Sequence, residues 1–260
     1  MMIVKVPGLN CLGKNNLCRN AGDALLAELR NIWSSEKGKP VEAELLDIEE
    51  IHVNNSNLDE QEKLIYENSL DLFSENEKVI FLGGDHSISY SIGKAFLEKF
   101  GKEACLIVFD SHADCMPAGK NPNHEEWLRA LVEQGFPAAQ ILLFGARNND
   151  KQEIEFLSRN KIKQVGINQL NNNIEETADL IMEFGSGKQV YVSFDIDVVD
   201  IAFVPDTGYP EVGGLSSRQA LYIVGRISLM KNLRAFDIVE VQEGRNMTVK
   251  LGARLLGELI

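Results

Sequence analysis

The chain has 260 residues, with 39 Asp and Glu against 26 Lys and Arg, for a formal net charge of -13. That length suits one large α/β domain over residues 1–260, and the negative field speaks against nucleic acid or an anionic membrane as a partner while welcoming a small cation. No apolar run approaches the roughly 18 residues of a bilayer span, and the opening MMIVKV lacks the basic and long apolar regions of a secretory leader, so a cytoplasmic protein is expected.

In chain order the pattern predicts strands over Met2–Val6, Val41–Ile48, Lys78–Leu82 and Ala104–Phe109, with helices over Ala21–Trp33, Leu58–Phe73 and Ser87–Phe100 between and around them. The second half repeats the alternation. Strands are predicted over Gln140–Phe144, Ile162–Val165, Gln189–Phe194 and Leu233–Val239, and helices over His124–Gln134, Lys151–Ser158, Ile174–Phe184, Ser216–Met230 and Met247–Leu256. The runs KVIFL, ACLIVF and QVYVSF are apolar throughout, which suits strands covered on both faces. The expected fold is a three-layer α/β/α sandwich around a mainly parallel eight-stranded sheet. Sheets of this kind bind ligands beyond the carboxyl ends of their strands, so polar residues that directly follow an apolar run are the candidates for chemistry.

Three such positions carry metal-type ligands: His86 in FLGGDHS, Asp110, His112 and Asp114 in FDSHAD, and Asp195 and Asp197 in SFDIDVVD. If extended geometry continues past the strand ends, D-x-H-x-D and D-x-D each aim their side chains to one side. Four carboxylates converging without a cation would repel one another; two dications balance them, and the oxygen-rich donor set with two imidazoles suits Mn²⁺ better than a thiolate-selecting zinc site. The cysteines Cys11, Cys18, Cys105 and Cys115 show no C-x-x-C pair and read as isolated thiols. His124, in NPNHEEW, is a candidate proton donor; as a residue of a helix start capped by Asn123 it has a plain structural explanation too.

G-G-D-H-S, then D-x-H-x-D, then S-x-D-x-D-x-x-D, in that order, resembles the signature of the ureohydrolases, the arginase and agmatinase family. VPDTGYPEVGGL (Val204 to Leu215) and FDIVEV (Phe236 to Val241) are similar to two further family segments. The resemblance implies an arginase-like fold and two Mn²⁺ per chain. One ion would be held by His86, Asp110, Asp114 and Asp195, the other by Asp110, His112, Asp195 and Asp197. It also implies hydrolysis of a small cationic guanidino substrate to urea and an amine, in a homo-oligomer. In that chemistry Asp114 would orient the nucleophile, Glu240 would pair with the guanidinium, and His124 would protonate the departing nitrogen. Asp150 lies where arginases carry an acid near the substrate's α-amino group, and it also reads as a helix N-cap.

The interval between D-x-H-x-D and His124 is only CMPAGKNPN, similar in length to that of agmatinases, which favours agmatine over arginine. Lys120 is the counter-indication, as a contact for a carboxylate. A formiminoglutamase-type hydrolase would want an arginine near the mouth, for which Arg147 is the candidate, and a non-catalytic metal-binding homologue is the remaining alternative.

Overall fold

The computed structural model describes residues 1–12, 16–170, 173–244 and 246–260. Eight strands form one sheet in which every pairing is parallel: β1 (Met2–Val6), β2 (Ile48–Glu50), β3 (Val79–Gly83), β4 (Ala104–Phe109), β5 (Ile141–Phe144), β6 (Lys163–Val165), β7 (Gln189–Asp195) and β8 (Leu233–Val239). Their order across the sheet is β2-β1-β3-β8-β7-β4-β5-β6. The helices are α1 (Ala21–Leu29), α2 (Leu58–Glu75), α3 (Ile88–Phe100), α4 (Trp127–Glu133), α5 (Lys151–Asn160), α6 (Ile167–Leu170), α7 (Ile174–Phe184), α8 (Ser217–Ile227) and α9 (Met247–Leu259).

Strand β4 shows why the apolar runs do not alternate. Cys105, Ile107 and Phe109 enter one core with Leu25 and Leu29 of α1, Ile223 of α8 and Leu255 of α9. Ala104, Leu106 and Val108 enter a second core on the opposite face, with Ile65 of α2, Phe96 of α3, Leu131 of α4 and Phe156 of α5. Successive strand side chains point to opposite faces, and both faces are dry, so every position is apolar. The expected three-layer sandwich is therefore present.

Several predicted boundaries move: the helix expected over Ala21–Trp33 ends at Leu29, and that over Ser216–Met230 spans Ser217–Ile227. The strand expected over Val41–Ile48 is a 3₁₀ turn at Ala43–Leu45 followed by the short β2, because Leu45 is 75% exposed and no burial draws that stretch into the sheet. The helix expected from His124 begins at Trp127. Asn123 does cap, but it caps a separate turn: its side chain accepts from Glu125 N at 2.8 Å and its carbonyl from Glu126 N at 3.1 Å. His124 consequently lies in the turn before α4. No described helix is long and apolar enough to cross a membrane.

Candidate active site

Four strands adjacent in the sheet, β3, β8, β7 and β4, deliver the candidate residues at their carboxyl ends: His86, Glu240, Asp195 with Asp197, and Asp110 with His112 and Asp114. The turn after β3 needs its second glycine, since a Cβ on Gly84 would lie 2.0 Å from the Gly8 carbonyl oxygen. That close approach lets the Gly84 carbonyl accept from Glu240 N at 3.0 Å, and His86 N donates to Glu240 Oε1 at 3.0 Å. The β3 and β8 ends are thereby locked together.

The ligands converge, though not by continued extended geometry. Asp114 has φ 50° and Glu240 φ 63°, the left-handed region that non-glycine residues avoid at a cost of about 1–3 kcal/mol, and Asp195 caps a 3₁₀ turn over Ile196–Val198 that carries Asp197. Loop conformation aims these carboxylates, which corrects the expectation of a simple strand alternation.

His86 Nδ1 lies 3.0 Å from Asp110 Oδ2, 3.0 Å from Asp114 Oδ2 and 3.3 Å from Asp195 Oδ2. His112 Nδ1 lies 3.1 Å from Asp197 Oδ2 and 3.6 Å from Asp110 Oδ1, with the Ser111 hydroxyl at 3.0 Å. Two groups with metal-ligand spacing result, His86–Asp110–Asp195 and Asp110–His112–Asp197, and Asp110 is common to both. Asp195 belongs to the first alone, its Oδ1 accepting from Asp197 N at 2.8 Å.

The protonation balance of these groups shows what a cation would relieve. Burial pushes Asp114 up to about 7, helped by the charge on Asp110, and burial with Asp197 and Asp110 drives Asp195 well above the usual carboxylate range. Burial opposes charge on the imidazoles, yet Asp110 with Asp114 and Asp195 lifts His86 well above its ordinary value, and Asp110 with Asp197 lifts His112 to about 12. Protons stand where divalent charge would. Buried His86 Nδ1 and Asp110 Oδ2 are 3.0 Å apart yet neither has a hydrogen-bond partner of acceptable geometry, so both point at a shared position. Oxygen and imidazole donors with two orphaned atoms fit hard divalent cations.

Several residues that spacing alone did not reveal complete the site. His86 Nε2 lies 2.9 Å from Ser193 Oγ, which donates to Asp237 Oδ1 at 2.9 Å. Asp237 also accepts from Ser89 Oγ at 2.8 Å, from Phe194 N at 3.1 Å and from the Tyr191 hydroxyl. With its proton committed to Asp237, Ser193 accepts from His86 Nε2–H and leaves the Nδ1 lone pair for a metal. Trp127 Nε1 donates to Asp114 Oδ2 at 2.7 Å, and Glu153 accepts from both Cys115 N and Asp150 N at 2.8 Å. The strand order and the turns that follow the strands bring these together, and the polar Ser193 and Asp237 inside apolar strands are the one signal of them in the sequence.

His124 Nδ1 lies 3.4 Å from Glu240 Oε1; burial works against its charge, but Glu240 raises it to about 9. Asp150 caps α5 through Gln152 N at 2.8 Å, as one of its two sequence readings holds, and it also lines the cleft. That cleft measures about 280 Å³ and contains His86, His112, Asp114, His124, Asp195, Asp197 and Glu240. Lys120 pairs instead with Asp59 at 2.6 Å. Arg147 gives its guanidinium to five backbone carbonyls, those of Gly145, Asp197, Val198, Glu211 and Val212.

The sequence profile of the arginase family matches residues 13–260. An agmatinase of Pyrococcus horikoshii is 34% identical over 181 residues, covering 68% of this chain and 60% of that protein. A mitochondrial arginase 1 of Oryza sativa is 34% identical over 187 residues, covering 69% of this chain and 54% of that one. The chain thus spans little more than half the length of these curated relatives. The proclavaminate amidino hydrolase of Streptomyces clavuligerus superposes with a TM-score of 0.87 at 25% identity, covering 99% of this chain and 89% of that one.

Proposed function

This chain belongs to the arginase family, and from that premise we propose that it is a manganese-dependent hydrolase of linear guanidines, acting on an agmatine-like substrate to release urea and an amine. The donor set fits two Mn²⁺: His86, Asp110, Asp114 and Asp195 would hold one, and Asp110, His112 and Asp197 would hold the other. When bound, such a pair lowers the pKa of water so that a nucleophile is available near neutral pH.

The chain's own groups supply the rest. Glu240, fixed by the His86 N–H, offers its carboxylate to the guanidinium through charge-assisted hydrogen bonds and so places the guanidino carbon over the ligand cluster. Asp114, steadied by the Trp127 indole N–H, orients the attacking water. Its addition makes a tetrahedral centre whose C–N bond to the tail then breaks. His124, protonated at neutral pH because Glu240 holds it at about 9, delivers the proton that lets that nitrogen leave as an amine.

One observation carries the substrate reading: the described residues lining the cleft include Glu125, Asp150 and Glu153 beyond the ligands but no Lys or Arg. Lys120 and Arg147, the two cations that would serve a carboxylate, are engaged elsewhere. A decarboxylated guanidine with a distal ammonium fits that lining; arginine or formiminoglutamate would bring an unmatched carboxylate into it. Steady-state kinetics on agmatine, arginine and formiminoglutamate with equal Mn²⁺ loading test the choice. A higher kcat/KM for either carboxylate-bearing substrate refutes it, and a chain with bound metal that cleaves none of them is a non-catalytic homologue.

A further inference from the structure

Tyr209, in the segment VPDTGYPEVGGL, places a large aromatic ring in the lining of the cleft. That ring faces the cleft. Its centroid lies 5.2 Å from the His124 imidazole at an interplanar angle of 67°, and 6.4 Å from that of His112 at 84°. Tyr209 is therefore a ring neighbour of both the proposed proton donor and the more exposed metal-ligand imidazole.

Its loop is held rigidly. Arg147 binds the carbonyls of Glu211 and Val212, Asp200 accepts from Gly213 N at 2.6 Å and Gly214 N at 3.2 Å, and Asp206 N donates to Thr248 Oγ1 at 3.0 Å. Met116, on the other loop that borders the cleft, is fixed through its N–H to the Glu125 carbonyl at 3.0 Å. Among the described residues that line the cleft, Met116 and Tyr209 are the two with apolar bodies; the others are carboxylates, imidazoles and an amide.

We propose that Met116 and Tyr209 form an apolar clamp on the aliphatic stem of the substrate and so select its length, an inference that rests on the guanidino reading above. A guanidinium seated on Glu240 has its charge matched there, and Glu125 and Asp150 in the same lining offer carboxylates to a charge at the other end of the substrate. The methylenes between need surface that does not compete for water, and a thioether and a phenol ring are the groups present to give it. Polar walls would bind stems of every length alike. Burial against apolar walls makes each added methylene worth up to about fourfold in kcat/KM, until the stem outgrows the clamp.

The test is a series of n-alkylguanidines from methyl to pentyl, with kcat and KM measured on the Mn²⁺-loaded full chain, on Tyr209→Phe, on Tyr209→Ser and on Met116→Ser. In the unsubstituted chain and Tyr209→Phe, kcat/KM should climb with stem length, mainly through KM. In Tyr209→Ser and Met116→Ser the climb should flatten to less than about twofold per methylene. A flat series in the unsubstituted chain, or an unchanged slope in both serine variants, overturns the clamp and leaves the guanidino reading standing. Cleavage of none of the guanidines overturns that reading, and the clamp with it. The phenylalanine variant separates the ring from the hydroxyl: loss of the slope there too would mean that the hydroxyl, not the apolar face, reads the stem.

Discussion

His86 has 1% of its side chain exposed and rests its outer nitrogen on Ser193, behind which Asp237 collects hydrogen bonds from Ser89, Tyr191 and the Phe194 amide. His112 is 23% exposed, and its outer nitrogen is 3.7 Å from Glu211, a half-buried acid on the loop that Arg147 stitches down. The first imidazole is oriented by the sheet itself, the second by a loop. A buried relay with every polar group paired permits one tautomer and one ring position, whereas a carboxylate at the rim can be replaced by water. The well-buried half and the half nearer solvent are thus separated within one cluster.

Removing what the halves share should have the largest effect. Asp110 touches both imidazoles, so Asp110→Asn should abolish binding of both ions and lower turnover by more than about a hundredfold. Metal content by elemental analysis checks this; retention of one full equivalent would show that the halves are independent. Chelation of the unsubstituted protein should likewise lower its melting temperature, because binding to the folded state alone is linked to stability.

Next come the two backing acids. Asp237→Asn should weaken metal binding at the His86 half by about ten- to a hundredfold, while Glu211→Gln should cost the His112 half less than about tenfold. Metal titration followed by calorimetry separates the two. Equal losses would erase the distinction between a sheet-built half and a loop-built half.

The same distinction marks what could be read from the sequence. His86, Asp110, His112, Asp114, Asp195 and Asp197 are legible because each lies at or just past the end of an apolar run, and a parallel sheet gathers its strand ends at one edge. Their aim was not legible. It depends on a left-handed Asp114 and on a 3₁₀ turn at Ile196–Val198, neither of which a period of two predicts. Ser193 and Asp237 sit on different strands, 44 residues apart, and meet His86 only because β8 lies between β3 and β7. Sequence order carries no record of that neighbourhood. His124 was found by its place in a motif, but its position in a turn ahead of α4 required the Asn123 cap to be seen closing that turn.

A smaller effect belongs to Glu240 and His124, which face the cleft from opposite loops. Because the carboxylate is what raises His124 to about 9, Glu240→Gln should lower that pKa toward the ordinary histidine value, with bound metal unchanged. NMR titration of the imidazole in metal-free protein reads it directly. The sign for stability follows: a raised histidine contributes below its unfolded value near about 6.5, and the contribution disappears as pH climbs through 9. The metal-free chain should thus lose stability across that window, and the glutamine variant should lose less of it. For turnover, His124→Ala should reduce kcat with metal content intact, and added imidazole should restore part of it, as befits a proton donor and not a turn residue.

The smallest effect tests where the open half ends. Lys120 is the charge within the 115–123 loop best suited to a substrate carboxylate, yet it pairs with Asp59, while its neighbour Asn121 donates to Asp59 at 2.9 Å and to Glu62 at 3.0 Å. All three contacts tie the loop to α2, and Lys120 does not line the cleft. An exposed pair of this kind contributes little and is screened by salt. Lys120→Ala should therefore leave the ratio of kcat/KM for agmatine and arginine within about twofold of its original value. A fall confined to arginine would mean that the lysine leaves Asp59 to reach the substrate's carboxylate. The loop would then belong to the recognition surface, and the cleft would extend further over α2 than its lining suggests.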